Sequence, residues 1–238
     1  MKKAIIVGAT SGIGKVLAER LVADNYLVGI TGRRIVLLNE MANEFPDKYF
    51  IKSFDVSDTE NVARHLNELV IELNGLDLLV ISAGTGDVNE TLDFAIEQQM
   101  INTNVSGFTC VADWAYRYFE KQQSGHLAAI SSIAGLRGSR LAPAYSASKS
   151  FMINYLEGLR QKSNKDKSGV IITDIRPGFV NTEMAKSHVK FWVAPVEKAA
   201  TQIYSAIKKK RKVVYVTRRW KMIAWLLKAI PGRVYTRL

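Results

Sequence analysis

Ala4-Ile5-Ile6-Val7-Gly8-Ala9-Thr10-Ser11-Gly12-Ile13-Gly14 is the stretch whose reading decides the fold. Four consecutive apolar residues read as a strand buried on both faces. Glycines at G-x-x-x-G-x-G spacing then turn the chain, and Val16-Leu17-Ala18 with Leu21-Val22 recur at helical spacing. A glycine turn between a buried strand and a helix lets backbone amides approach a pyrophosphate, and the helix N-terminus favours the negative charge. The turn therefore predicts a dinucleotide site in which Gly8, Thr10, Ser11, Gly12, Ile13 and Gly14 surround the phosphates.

Outward from that turn, the pattern repeats. Apolar runs at residues 26–31, 50–54, 76–81, 127–130, 170–175 and 213–216 read as further strands, separated by helix-length segments such as the one carrying Val62, Leu66, Leu69 and Leu73. Continuously apolar strands alternating with helices predict an α/β fold, a doubly wound Rossmann-type parallel sheet of about seven strands with helices on both faces. Its ligand site falls at the C-terminal strand ends. The 238 residues suit one domain over 1–238, with no linker, repeat or low-complexity tract to divide it. Cys110 is the only cysteine, which excludes an intramolecular disulfide, fits a reducing compartment and reads as a small core residue. The apolar run after Met1-Lys2-Lys3 is too short for a secretory segment, so a cytoplasmic location is expected.

After the second strand, a fold selecting NAD places an acid against the ribose 2′-hydroxyl. This chain places Gly32-Arg33-Arg34 there, with no acid before Glu40. Guanidiniums hold a 2′-phosphate through charge-assisted hydrogen bonds, so Arg33 and Arg34 point to NADP(H); the plainer alternative is a solvated helix start. Asp55-Val56 follows the third strand, where the carboxylate either accepts from the adenine amino group or caps the next helix, a job for which Ser57 or Asp58 is better placed.

Tyr145 and Lys149 stand four apart in Ala144-Tyr145-Ser146-Ala147-Ser148-Lys149, neighbours on a helix face, and Ser132 lies thirteen residues upstream after the fifth strand. A phenol titrates near 10, so acid/base work near neutrality needs an adjacent cation to stabilise the phenolate. Lys149 supplies one, and Ser132 can donate to a substrate oxygen. Tyr204 and Lys208 have the same spacing but look like a decoy: Phe191, with no hydroxyl, stands thirteen residues before them, and Lys208-Lys209-Lys210-Arg211-Lys212 follows at once.

With the glycine turn, Asp55-Val56, Asn104-Val105, Ser131-Ser132-Ile133-Ala134-Gly135, Tyr145 to Lys149 and Arg176-Pro177-Gly178-Phe179-Val180-Asn181-Thr182, the chain resembles the short-chain dehydrogenase/reductase family through about Lys208. The resemblance implies that Tyr145 is the general acid/base, that Lys149 binds the nicotinamide ribose and lowers the tyrosine's pKa, and that Ser132 polarises the carbonyl. It further implies that Asn104 holds a water of a proton relay and that Pro177, Gly178, Val180 and Thr182 contact the nicotinamide end. Asn104 read alone is a helix cap or turn residue, and Asn102 is its rival. Ile81-Ser82-Ala83-Gly84 replaces the family's Asn-Asn-Ala-Gly; Ala83 and Gly84 keep the close approach to cofactor but the sheet-bracing asparagine is absent, and Val7 replaces a frequent threonine. A homodimer or homotetramer is also implied.

His65, His126 and His188 have no metal-ligand spacing, so no metal is expected, and each reads as a surface or loop residue. Met184, Val189, Phe191, Trp192 and Val193 after Thr182 either mark a hydrophobic substrate or pack their loop on the core. The net charge of +11 is entirely C-terminal: residues 1–197 carry −1, whereas 198–238 hold 12 Lys/Arg and no acid. In the basic segment at about 208–238, Arg218, Lys221, Trp225 and Lys228 share a helical face, while Met222, Ile223, Leu226, Leu227 and Ile230 cover the rest before Pro231. That helix is too short to span a bilayer. It is read in three ways: lying on an anionic membrane at the inner face, walling the substrate pocket, or joining a subunit interface. A nucleic-acid role lacks any recognition motif. The expectation for the whole is an NADP(H)-dependent oxidoreductase interconverting a hydrophobic ketone or aldehyde and its alcohol; the alternative is a non-catalytic dinucleotide-binding regulator or scaffold.

Overall fold

The computed structural model describes residues 1–183 and 191–237. Its strands are β1 (Lys3–Val7), β2 (Leu27–Gly32), β3 (Tyr49–Ser53), β4 (Leu78–Ile81), β5 (Gly125–Ile130), β6 (Val170–Pro177) and β7 (Val213–Val216). They form one sheet in the order β3-β2-β1-β4-β5-β6-β7, every pair parallel. Between them run α1 (Gly12–Ala23), α2 (Ile35–Glu44), α3 (Thr59–Leu73), α4 (Phe94–Ile101), α5 (Phe108–Gln122), α6 (Pro143–Asp166) and α7 (Val196–Lys208); α8 (Trp220–Ala229) and α9 (Gly232–Tyr235) follow the last strand.

Alternation along β1 shows why its four apolar residues are all needed. Ile5 and Val7 face a core with Leu66, Leu69, Val111 and Met152 of α3, α5 and α6, whereas Ala4 and Ile6 face a second core with Leu17, Leu21 and Ile203 of α1 and α7. The chain leaves β1 for β2 on one side and returns to β4 on the other. That reversal opens a crevice at the strands' C-terminal ends, lined by both the glycine turn and the Ser82-Ala83-Gly84 segment.

The decoy pair is structural. Tyr204 Oη donates to Asp24, and Lys208 Nζ lies 2.7 Å from Asp24 Oδ2, fastening α7 to the end of α1. Two expectations need correction. His126 is no surface residue: β5 begins at Gly125, two residues earlier than the apolar run, and carries the ring into the core, where it is 7% exposed. Cys110 is only half-buried at the core's edge, its Sγ 3.4 Å from the Thr59 carbonyl, and burial pushes the thiol up. The basic segment also divides. Residues 208–212 precede β7 at the amino-terminal end of the sheet, while α8 follows it at the opposite, ligand-bearing end.

Candidate active site

The crevice is a cleft of about 850 Å³. Every residue predicted for the site lines it except Gly14 and Asn104. Gly8 has a φ of +90°, and a Cβ there would sit 2.5 Å from the Ala83 nitrogen, so the turn and the end of β4 touch backbone to backbone. Gly14 lies just behind the lining, where a Cβ would overlap the Gly8 carbonyl. The bracing that the absent asparagine leaves open is carried by backbone: the amides of Ser82 and Ala83 both donate to the Val7 carbonyl, at 2.8 and 2.7 Å.

At one end of the cleft stand the arginines. Arg34 occupies the cap position of α2 but folds back on the glycine turn, its Nη2 donating to Thr10 Oγ1 at 2.9 Å and Ser11 Oγ at 2.8 Å, with Nη1 3.6 Å from Glu183. Arg33 Nη1 lies 3.4 Å from Asp55 Oδ2. The other Asp55 oxygen accepts from the Ser57 amide and hydroxyl, so this carboxylate shapes the turn before α3, whose cap position is Asp58. Burial alone would raise the Asp55 carboxyl; the Ser57 hydrogen bonds and the Arg33 charge outweigh it and hold the group below its ordinary value.

At the other end, β5 and α6 converge. Ser132 is extended, between β5 and a short 3₁₀ turn (Ile133–Leu136); its Oγ accepts from the Ala134 amide at 3.1 Å and lies 3.4 Å from the Pro177 carbonyl. Tyr145 and Lys149 occupy the first turns of α6, with Lys149 Nζ 5.9 Å from the phenol ring centroid and donating to the Ile130 carbonyl at 3.1 Å. Burial pushes the Lys149 ammonium down to about 8, against the opposing pull of Asp174. Burial also raises the Tyr145 phenol, while a hydrogen bond with Ser132 works the other way. Gly86 presses against the tyrosine, a Cβ there falling 2.8 Å from the ring.

Asn104 stands behind this trio. A π-helical segment (Asn102–Gly107) joins α4 to α5, and such bulges turn side chains out of regular register. Asn104 Oδ1 accepts from the Thr85 amide at 2.9 Å, and Nδ2 donates to the Thr85 carbonyl at 2.7 Å and to Ser148 Oγ at 3.1 Å. It thereby ties the loop after β4 to the helix turn that carries Lys149. Asn102 is exposed instead.

Sequence reasoning missed a charged layer beneath Ser132. Ser131 Oγ donates to Asp174 Oδ1 at 2.5 Å, Arg176 Nη2 pairs with Asp174 Oδ2 at 2.6 Å, and Arg176 Nη1 reaches Tyr215 Oη at 3.2 Å. It also missed half of the apolar wall: Phe179, Trp220 and Tyr235 join Phe191, Ile223 and Leu227 along the cleft. Arg137 fastens that wall, donating from Nε to the Leu227 carbonyl at 2.7 Å and from Nη2 to the Ile230 carbonyl, its guanidinium 5.2 Å from the Tyr235 ring. The C-terminal helix is therefore a wall of the cleft, one of its three sequence readings. Met184, Val189 and His188 lie outside the described residues.

The family model for short chain dehydrogenases matches residues 2–191. An uncharacterized oxidoreductase of Myxococcus xanthus is 32% identical over 192 residues, covering 79% of this chain and 75% of that protein. Another, of Staphylococcus aureus, is 30% identical over 190 residues, covering 79% and 81%. Two solved structures share the fold. ElxO with NADP bound superposes with a TM-score of 0.79 at 24% identity over 90% of this chain and 96% of that one. A short-chain dehydrogenase from Streptomyces avermitilis gives 0.84 at 22% identity over 99% and 93%.

Proposed function

The chain belongs to the short-chain dehydrogenase family of oxidoreductases, and from that premise we propose that it uses NADP(H) to interconvert an apolar ketone or aldehyde and its alcohol. The observation that carries the reading is the placement of two chemistries at opposite ends of one cleft: Arg33 and Arg34 at one, Ser132, Tyr145 and Lys149 at the other.

A dinucleotide bearing a 2′-phosphate fits the residues present. Gly8, at a φ of +90° and packed on Ala83, lets the turn hold its backbone at the edge of the cleft where a pyrophosphate would lie, and the guanidiniums of Arg33 and Arg34 reach the cleft where an acid would repel a phosphate. ElxO, alike in fold, binds NADP. When bound, the nicotinamide supplies or accepts the hydride.

The chain's own residues handle the proton. The Tyr145 hydroxyl, an un-ionised phenol near neutral pH, donates to the carbonyl oxygen as that oxygen gains charge, and the phenolate takes the proton back in the oxidative direction. The Lys149 ammonium, held beside the ring, stabilises the phenolate left behind. Ser132, anchored by its bonds around Ala134 and Pro177, orients the oxygen. Phe179, Trp220, Ile223 and Leu227 exclude water and favour an apolar substrate.

The test is NADPH consumption by the purified protein across ketones graded from small polar oxo-acids to long-chain and steroid-like compounds, with NADH in parallel. Turnover confined to bulky apolar ketones and favouring NADPH is expected. Equal use of NADH, or preference for the oxo-acids, would overturn the corresponding half of the reading.

A further inference from the structure

Helix α8 has two apolar faces. Trp220, Ala224, Ile223 and Leu227 turn to the protein and the cleft, whereas Met222 is 71% exposed, Trp225 73% and Leu226 50%. Leu226 sits one turn from Met222 and one turn from Ile223, so the exposed strip runs without interruption into the strip that lines the cleft. Phe191, Trp192 and Val193, all more than a third exposed, extend the same patch: the Phe191 and Trp192 rings lie 5.0 and 6.1 Å from Trp220, and Arg219 covers Trp192 at 5.6 Å.

Around this patch stand Arg218, Arg219, Lys221, Lys228, Arg233 and Arg237, all exposed, with no acid anywhere after Glu197. We propose that α8 and α9 seat the protein on an anionic phospholipid surface, with the open edge of the cleft beside the lipid. Cationic side chains ringing exposed Trp, Met and Leu match an interface whose headgroups are negative and whose acyl layer begins a few ångströms below. A second copy of the chain does not suit this face, since apposing it on itself brings like charges together. Duplex nucleic acid answers the charge but keeps its bases stacked inside and offers no apolar layer to Met222, Trp225 and Leu226. No helix of the described residues is long and apolar enough to cross a membrane, so the contact is peripheral. Entry of an apolar ketone from the lipid rests on the proposed activity; the docking itself does not.

Full-length protein is sedimented with vesicles of phosphatidylcholine alone and with added phosphatidylglycerol. At least tenfold stronger binding to the anionic vesicles is expected, weakening as salt is raised, and falling at least tenfold in the variant M222S/W225S/L226S. That variant alters only exposed side chains outside the cleft lining and keeps wild-type turnover of a bulky apolar ketone assayed in solution without vesicles. A wild type that stays in the supernatant, a variant that binds like wild type, or tighter binding to duplex DNA than to vesicles would each overturn docking. Vesicle binding that leaves the KM for a long-chain ketone unchanged would overturn entry from the lipid while leaving docking and the enzymatic reading in place.

Discussion

Trp220 lies so closely on Gly178 that a Cβ built on the glycine falls 2.1 Å from the indole, far inside van der Waals contact. The helix outside the matched family segment is thus seated on the motif at the end of β6, whose Gly178 amide also donates to the Val216 carbonyl at 2.6 Å. Gly178→Ala should displace the ring and with it the cleft wall, costing about 1–3 kcal/mol by overpacking. Urea unfolding measures this. The two sites should couple: with Trp220→Phe already present, adding Gly178→Ala should cost less than it does alone. Additive losses would mean that the indole is not seated there.

Arg34 is held by Thr10 and Ser11, already oriented over the glycine turn, while Arg33 is engaged with Asp55. Removing a charge-assisted partner of a phosphate costs about 1.5–3 kcal/mol, or roughly 10–100-fold. Arg34→Ala should raise the KM for NADPH by that factor and leave the KM for NADH within about twofold. Arg33→Ala should do less. Steady-state titration of both cofactors decides it, and an equal loss for NADH would refute selection by Arg34.

The sheet was legible because the inner strands β1 and β4 are apolar on both faces and helices such as α3 carry a clear apolar stripe. Arg33 and Arg34 were legible as an absent acid, though nothing local says that Arg34 bends back 24 residues to Thr10. Contacts of long range stayed hidden. His126 follows a glycine and reads as loop until Thr173, 47 residues on, receives it. Asp174 and Arg176 sit two apart on one face of β6, where a strand reading offers them no reason to be buried. The C-terminal helix showed its amphipathicity, but its inward face is fixed by partners far off in sequence: Trp220 packs on Gly178, and Arg137, 90 residues away, holds the Leu227 carbonyl.

Tyr145→Phe removes one hydroxyl and leaves the ring that Gly86 packs against. Loss of the proton donor should lower kcat at least ~100-fold. NADPH affinity, followed by quenching of protein fluorescence, should stay within about twofold. A variant that keeps its turnover would remove Tyr145 from proton transfer.

His126 sets an acid limit to stability. Thr173 Oγ1 donates to the Arg211 carbonyl at 2.6 Å, so it must accept from His126 Nε2 at 2.7 Å, which fixes the neutral tautomer with its proton on Nε2. Burial, helped by the nearby Lys210 charge, pushes the ring from 6.5 down to about 4. The unfolded chain therefore takes up a proton in a pH range where the native protein does not. The stabilisation is complete above about 6.5 and is lost as pH falls through that window towards 4, on the order of 3 kcal/mol in all. Urea midpoints measured from pH 7.5 to 4 should fall along this course in the wild type. In His126→Gln, which keeps a donor but cannot titrate, the decline should be shallower by about one proton. An unchanged slope would place the acid sensitivity elsewhere.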